Sequence, residues 1–264
     1  MEGKGLLSLL TFSGKRRDIL FMLQREPKTL QEIRDRLGVT SPEIIPQIKK
    51  LEKNNLIHLE GKNYFLTEMG YIVTHSYNHL IKTLDIFEKD IEFWKRHKIN
   101  GIPYEFKMRL NELGNYRIFG GTPTEIFKPH NEYIKNLLQS NCIEGVSSVL
   151  HPDYPKYINM LADRGMPISI ILTEDVFKKM KEDYSAELEK GLEYNNVQVM
   201  VFNEKIEFTF TVTDLFLSMR LFFNNGTYDF YNNIISYEKS ALEWGNDLFK
   251  YFEKRSKKVD PQSS

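Results

Sequence analysis

The sequence contains one cysteine, Cys142, among its 264 residues. A single thiol excludes a framework of internal disulfides and any zinc site built on several cysteines, and it favours a reducing compartment. The sequence also lacks an apolar run long enough to cross a bilayer, and the N-terminal LLSLL is too short for the core of a signal peptide. We therefore expect a cytoplasmic protein that does not contact a membrane.

The net charge is zero, since 36 Lys and Arg residues balance 36 Asp and Glu residues. The charges are unevenly distributed, because residues 1–62 hold 12 basic and 8 acidic side chains, a balance of 12 − 8 = +4 that leaves −4 for the rest. A basic N-terminal part favours contact with a polyanion such as double-stranded DNA. The length suits two domains, each with its own core.

Patterns that would predict catalysis or a cofactor are missing. His75 and His79 lie one helical turn apart, as metal ligands can, but no third ligand and no HExxH pattern accompany them. The glycines of FGGTPTE, residues 119–125, lack the lysine of a phosphate-binding loop, and no GxSxG elbow occurs. We expect no metal, no cofactor and no enzymatic activity, although an enzyme in the second half stays open as an alternative.

The first 70 residues show the order of elements of a winged helix-turn-helix. KRRDILFMLQR, residues 15–25, has helical spacing, and Thr29 with Glu32 predicts a capping box for a second helix that ends at Gly38. Ser41 is predicted to cap a third helix that contains Pro46. Two short strands, residues 56–59 and 64–66, follow as the wing.

The third helix is predicted to enter the major groove of DNA, with its lysines near phosphates and Gln47 at a base edge. Lys62 and Asn63 of the wing are predicted to reach the adjacent backbone. The full set of predicted DNA contacts is Lys28, Thr29, Thr40, Ser41, Glu43, Gln47, Lys49, Lys50, Lys53, Lys62 and Asn63. Two alternatives stay open: a lysine face that is merely solvated, and a winged helix that binds protein.

Residues 70–99 show one long helical pattern with an apolar heptad stripe, which favours a linker that pairs two copies of the chain. The stripe consists of Val73, Tyr77, Leu80, Leu84, Phe87, Ile91 and Trp94. The alternative is a helix packed on its own second domain. A winged helix that reads paired half-sites needs a partner, which favours the homodimer.

From residue 101 onward, predicted strands and helices alternate, which indicates an α/β domain with a mainly parallel sheet. The predicted strands are 115–120, 143–150, 167–172 and 197–202, and the predicted helices between them are 124–140, 154–164 and 173–191. Antiparallel strands EFTFTVTD, LFLSMRLFF and TYDFYN follow, with Asn225-Gly226 as a turn signal. A last helix and a disordered tail, residues 256–264, complete the chain.

Several segments resemble a known family. SPEIIPQIKKLEKNNLI is similar to the recognition helix of archaeal winged-helix regulators, and GVSSVLHPDYPKYI, TDLFLSMRLFFNNGTYD and ALEWGNDLFKYF resemble their methanogenesis regulatory protein (FilR-type) middle domain. The resemblance covers roughly residues 10–255. It implies a DNA-binding transcriptional regulator whose second domain has a mixed sheet on a phospholipase-D-like plan, without the HxKxxxxD motif of those enzymes, and senses an effector or oligomerises.

The domains expected on this basis are a winged helix-turn-helix over 10–70, a linker or dimerisation helix over 71–99 and a regulatory domain over 101–255. Arg220 could present its charge to an anionic small-molecule effector. The candidate ligand-binding residues are His151, Tyr154, Asp214, Arg220, Tyr228, Asp229 and Trp244. The alternative is that these side chains belong to the core and the turns.

Overall fold

The computed structural model describes residues 5–120 and 131–260. The chain divides into two compact units, residues 1–84 and 85–264, and each has its own hydrophobic core. Within the described ranges, no helix combines the length and apolarity that crossing a membrane requires.

The first unit is a winged helix-turn-helix, as the sequence predicts. Its elements are α1 (Leu6–Thr11), α2 (Gly14–Arg25), β1 (Lys28–Thr29), α3 (Leu30–Leu37), α4 (Ser41–Lys53), β2 (Ile57–Glu60), β3 (Asn63–Leu66) and α5 (Glu68–Lys89). The strands form an antiparallel sheet in the order β1-β3-β2. Ile19, Leu20, Ile33, Ile44 and Ile48 pack in its core.

Local capping explains where the helices of this unit begin and end. The Glu32 carboxylate accepts from the backbone N–H of Thr29 at 2.7 Å, and the Thr29 hydroxyl accepts from Glu32 N–H at 3.2 Å, so the predicted capping box is confirmed. Gly38 ends α3 in the left-handed conformation, with φ 62°. Thr67 Oγ1 accepts from Gly70 N–H at 2.8 Å at the start of α5.

The predicted cap of α4 is wrong by one residue. Thr40 is the N-cap, because the Glu43 carboxylate accepts from both the N–H and the hydroxyl of Thr40 at 2.9 Å. Pro46 lies inside the helix on its exposed side. The buried Ile44, Ile48 and Leu51 hold the opposite side against the core, so packing compensates for the backbone bond that proline removes.

The sequence did not predict α1 or β1. α1 contributes the buried Leu10 to the core. β1 has only two residues, which pair with Tyr64 and Asn63 of β3, and so short a strand leaves no periodic pattern.

The single long helix predicted over residues 70–99 is also wrong. α5 ends at Lys89, Asp90 adopts φ −139° and ψ 52°, and a second helix, α6, runs over Ile91–Arg96. Trp94 Nε1 donates to the carbonyl oxygen of Ile86 at 2.9 Å. Eight residues of straight helix would span about 12 Å, so the chain must turn for this bond to form.

The second unit continues with α/β elements. They are α7 (Tyr104–Lys107), a 3₁₀ helix (Leu110–Leu113), β4 (Arg117–Gly120), α8 (Asn131–Gln139), β5 (Ile143–Ser147), α9 (Tyr154–Ala162), β6 (Ile168–Thr173), α10 (Glu174–Asp183), α11 (Ser185–Glu193), β7 (Val197–Phe202), β8 (Phe208–Thr213), β9 (Leu217–Leu221), β10 (Asn232–Ser236), α12 (Lys239–Glu253) and β11 (Lys257–Lys258). Residues 124–130 of the helix predicted over 124–140 lie outside the described residues.

The described strands of the second unit form one eight-stranded mixed sheet in the order β11-β7-β6-β5-β8-β9-β10-β4. Only the β5–β6 and β6–β7 pairs are parallel, so the expectation of a mainly parallel sheet is wrong, whereas the mixed α/β class is confirmed. The helix predicted over 173–191 is two helices, separated at Tyr184 with φ −140°.

Two further expectations for this unit are corrected. The strand predicted over TYDFYN, residues 227–232, starts only at Asn232, because Asp229 Oδ1 accepts from the N–H groups of Tyr231 and Asn232 and turns the backbone. The predicted disordered tail contains β11, which pairs Lys257 with Val201 of β7.

Side chains of the central strands alternate between the two faces of the sheet. On β9, Leu217, Met219 and Leu221 pack in the main core with Trp244 of α12. Ser218 and Arg220 point to the other face, where they line a cavity.

Candidate nucleic-acid interface and candidate ligand cavity

One side of α4 is exposed along its whole length. The exposed residues recur at helical spacing and are Pro42, Glu43, Pro46, Lys49, Lys50 and Lys53. No ion pair involves Lys49, Lys50 or Lys53 in the part of the chain that the structure describes. Three positive charges are therefore available at the C-terminal half of this surface.

The acidic residue on the same surface is engaged by its neighbours. The Glu43 carboxylate accepts from Thr40 and forms an ion pair with Lys15 at 2.9 Å. The backbone N–H of Thr40 and the ammonium of Lys15 lower the pKa of Glu43 to about 2. Glu43 thus completes the cap at the start of α4, and the positive charge of Lys15 on α2 compensates its negative charge.

Gln47 has a structural partner that the sequence did not reveal. Arg16 of α2 is buried, and it donates from Nη1 to the Gln47 amide oxygen at 2.7 Å and from Nε to the Leu9 carbonyl at 2.5 Å. A bidentate contact between glutamine and adenine needs both the amide oxygen and the amide nitrogen. While Arg16 occupies one lone pair of the oxygen, Gln47 keeps the second lone pair and its amide nitrogen for such a contact.

The other predicted DNA contacts lie at different places in the unit. Lys28 pairs with Glu26 and lies 3.8 Å from Glu32, and Thr29 and Thr40 serve as helix caps. Ser41 is partly buried at the start of α4. Lys62 and Asn63 are exposed at the turn between β2 and β3, as expected for the tip of a wing.

The second unit contains a cavity of about 130 Å³, partly open to solvent, between the sheet and helices α8 to α11. Its walls are mainly apolar and include Leu137, Leu150, Ile158, Leu172, Val176 and Leu188. Gly145 of β5 lines the cavity, and a Cβ there would lie 3.3 Å from the Phe210 carbonyl oxygen.

Polar groups gather at one end of this cavity. Arg220 is only 7% exposed, and its cross-strand neighbour Thr209 shares a 2.8 Å hydrogen bond with the Tyr228 hydroxyl. The Tyr133 hydroxyl and Thr211 Oγ1 lie 3.0 Å apart. Tyr154 stacks on His151 with ring centroids 4.6 Å apart.

The tyrosines and the arginine of this cluster differ in their charge at neutral pH. Burial raises the pKa of Tyr228 to about 12 and also raises those of Tyr133 and Tyr154. Burial lowers the pKa of Arg220, the surrounding phenols raise it, and it lies above its ordinary value. At neutral pH the cluster therefore consists of neutral phenols around one cation.

The cavity brings together four of the seven candidate ligand residues. His151, Tyr154 and Arg220 line it, and Tyr228 lies close to Arg220 and shares a hydrogen bond with Thr209, which also lines the cavity. Asp214 instead lies at the exposed β8–β9 turn, where it accepts from Asn141 N–H at 2.8 Å. Trp244 is fully buried, and its Nε1 donates to the Phe106 carbonyl oxygen at 3.1 Å. Asp229 is buried, with Oδ2 2.8 Å from His97 Nε2. Asp214, Trp244 and Asp229 therefore each have a structural partner within the protein.

We expect Asp229→Asn to destabilise the second unit by about 2–4 kcal/mol, because Asp229 accepts from His97, Tyr231 and Asn232 in a buried site. Burial raises the pKa of Asp229, but these hydrogen bonds lower it by more, so it lies below the ordinary value. The ionised carboxylate therefore stabilises the folded state fully at pH values above the pKa that Asp229 has in the unfolded chain. This stabilisation is lost as the pH falls through the lower pKa that Asp229 has in the folded protein.

Urea unfolding followed by tryptophan fluorescence measures this loss, since Trp94 and Trp244 both belong to the second unit. Asp214→Asn is the matched control, because that carboxylate is exposed, and it should cost less than about 1 kcal/mol. Equal effects of the two substitutions would contradict the assignment of Asp229 as a structural anchor.

The predicted dimerisation stripe is divided between the two cores. Val73 and Tyr77 pack in the core of the first unit, and Phe87 and Trp94 pack in that of the second. Leu80, Leu84 and Ile91 stay exposed, at 46%, 42% and 47%. The expectation that all seven side chains form one continuous stripe is therefore wrong.

Two domain families match the chain. Residues 5–85 match the family described as methanogenesis regulatory protein FilR1, N-terminal domain, and residues 126–255 match its middle domain. The methanogenesis regulatory protein FilR1 of Methanothrix harundinacea (strain 6Ac) is 26% identical over 247 residues, which are 92% of this chain and 55% of the relative. The chain thus spans about half the length of that curated relative.

Solved structures with a similar course of the chain have low scores. TrmBL2, an archaeal chromatin protein with a novel mode of DNA binding, covers 96% of this chain and 98% of its own, at 13% identity and a TM-score of 0.45. NucT from Helicobacter pylori covers 55% of this chain and 98% of its own, at 14% identity and a TM-score of 0.44. Nuc from Salmonella typhimurium, a phospholipase D family member, covers 55% and 97%, at 12% identity and 0.38. At these scores the likenesses say nothing about function.

Proposed function

Because the chain belongs to the family of FilR1-type methanogenesis regulatory proteins, of which it carries the N-terminal and middle domains, we propose that it is a DNA-binding transcriptional regulator. The observation that carries the proposal is the exposed face of α4. Lys49, Lys50 and Lys53 lie there without a carboxylate partner among the described residues, on the third helix of a winged helix-turn-helix.

In this proposal the N-terminal half of α4 enters the major groove. Pro42 and Pro46 make that half of the exposed face smooth and uncharged apart from Glu43. Lys49, Lys50 and Lys53 then meet phosphates beside the groove, and Lys62 meets the backbone from the wing. Gln47 has its amide nitrogen and the second lone pair of its oxygen for a base, while Arg16 fixes the position of the side chain.

The regulator acts as a homodimer in this proposal. Leu80 and Leu84, which are one turn apart and exposed, form an apolar surface on α5 that a second copy would cover. Two copies would place two α4 helices on two half-sites. The second unit binds a small-molecule effector in its cavity and shifts the equilibrium between arrangements of the dimer with different DNA affinities.

Selection from a pool of random duplexes, followed by fluorescence anisotropy, tests the proposal. We expect one sequence to be enriched as two half-sites related by two-fold symmetry, and the full chain to have the mass of a dimer by light scattering. Affinity should fall at least about tenfold between roughly 50 and 200 mM salt. An unenriched pool, or binding that salt leaves unchanged, would favour a winged helix that docks onto protein.

A further inference from the structure

Arg220 is a buried charge that forms no ion pair in the described part of the chain. It is the only lysine or arginine among the described residues that line the cavity. No carboxylate lies within ion-pair distance of it in residues 5–120 and 131–260. Glu187, the acidic residue of the cavity wall, is partly exposed on α11 and forms no ion pair with Arg220.

The neighbours of Arg220 solvate the guanidinium only in part. The phenols of Tyr133, Tyr154 and Tyr228 lie close to it and raise its pKa. These phenols are neutral at neutral pH, so they supply dipoles and no counter-charge. A buried charge without a counter-ion costs stability, and proteins retain such charges mainly where a ligand or partner completes them.

The groups that line the cavity indicate which ligand group would form an ion pair with the Arg220 guanidinium. A carboxylate matches a guanidinium in charge and in its two-point geometry. Thr209 and Thr211 can donate to the Tyr228 and Tyr133 hydroxyls, which frees each phenol to donate to an anion. One positive charge suits one negative charge, since a dianion would leave an excess charge in an apolar chamber.

We propose that the cavity binds a small monocarboxylic acid with an apolar body, whose carboxylate pairs with Arg220 and accepts hydrogen bonds from the tyrosines. The apolar part would contact Leu137, Ile158, Leu172 and Val176. The cavity has about 130 Å³, and a cavity of about 150 Å³ accepts benzene, so the acid has roughly one ring or a short chain. This inference rests on the proposed function, since it names the class of the effector.

Calorimetry with the full chain, in the absence of DNA, tests the ligand class. Benzoate and hexanoate are the probes, benzamide and hexanol are their neutral counterparts, and phthalate is the dianion. We expect benzoate and hexanoate to bind about 10–100-fold more tightly than the neutral counterparts and than phthalate. Equal binding of benzoate and benzamide, or no binding of the acids at about 10 mM, would overturn the inference.

Variants identify the residue responsible. Arg220→Gln should weaken benzoate binding about 10–100-fold and leave benzamide binding unchanged. Arg109→Gln is the control, because it removes an arginine of the same unit that lies outside the cavity and forms partly exposed ion pairs with Glu112 and Asp247. Tyr228→Phe retains the ring and should weaken only benzoate, which keeps the test valid if Arg220→Gln does not fold. Unchanged benzoate binding in folded Arg220→Gln or Tyr228→Phe would contradict the proposed pairing.

The two proposals fail in different ways. A chain that reads DNA but binds none of the acids retains the proposed function and loses the ligand. A chain that binds benzoate through Arg220 but selects no DNA sequence retains the ligand and loses the regulator. If both bindings occur, anisotropy with and without benzoate measures their coupling directly.

Discussion

Replacing Lys49, Lys50 and Lys53 together by alanine is expected to weaken DNA binding by about 10²–10³-fold. All three side chains are exposed on α4, and none has an ion pair among the described residues, so each is available to a phosphate. Each phosphate contact releases a counterion, and losing three should make the slope of log K against log salt shallower by roughly three units per winged helix bound.

Fluorescence anisotropy over a salt series measures both quantities. Lys178→Ala, Lys179→Ala and Lys181→Ala together form the matched control, because they remove the same charge from helix α10 of the second unit. The control should retain the affinity and the slope to within about one unit. If both triple variants lost affinity equally, net charge alone would explain binding and α4 would have no special role.

Gly70→Ala is expected to destabilise the first unit by about 3 kcal/mol, the upper end of the cost of overpacking. Gly70 lies in the first turn of α5, and a Cβ built there would come within 1.8 Å of the Leu56 carbonyl oxygen. That oxygen already accepts from Thr67 N–H at 3.1 Å just before the helix, so it cannot move without loosening the base of the wing. The helix must therefore shift away from the loop before β2.

Hydrogen exchange of peptides from residues 14–66 in the full chain measures this effect locally. Gly14→Ala is the control, since that glycine begins α2 and its added methyl would meet only Arg17 Nη2, at 3.9 Å. Alanine there should be neutral or stabilising by up to about 1 kcal/mol. Equal protection in the two variants would show that the close approach of α5 to Leu56 contributes nothing to stability.

The first unit could largely be predicted from sequence because its signals are local. A capping box needs only Thr29 and Glu32, a helix end needs only Gly38, and a hairpin needs two short apolar runs with a turn between them. The one-residue error at Thr40 arose because Thr40 and Ser41 are both good caps, and the choice depends on which of them Glu43 reaches.

The second unit was harder to predict from sequence, because its structure depends on contacts between residues that are distant in the chain. The heptad pattern does not reveal that Trp94 folds back to the Ile86 carbonyl, nor that Phe87 and Tyr77 belong to different cores. Alternating Tyr228 and Phe230 predicted a strand, but a single carboxylate at Asp229 turns the backbone there.

The candidate ligand residues show the same difference between local sequence signals and contacts that are distant in sequence. Arg220 and Tyr228 were recognisable as polar side chains in a strand-rich segment. Arg220 lines the cavity, and Tyr228 shares a hydrogen bond with Thr209 of the cavity wall. Asp214 and Trp244 looked similar in sequence, and only their partners, Asn141 and the Phe106 carbonyl, identify them as structural. Thr209 and Thr211 were missed, although their alternation with buried Phe208 and Phe210 was a signal for a second, polar face.

The bond from Arg16 to Gln47 sets a limit on how this protein could be retargeted, by divergence or by design. A substitution at Gln47 would remove the acceptor of a buried guanidinium as well as the proposed base contact, so new specificity there would arrive together with a folding defect. Pro42 and Pro46 are exposed and their side chains form no hydrogen bonds, so they can vary without that linkage. Libraries that seek new operators should therefore begin at those two positions and leave Gln47 until Arg16 is varied with it.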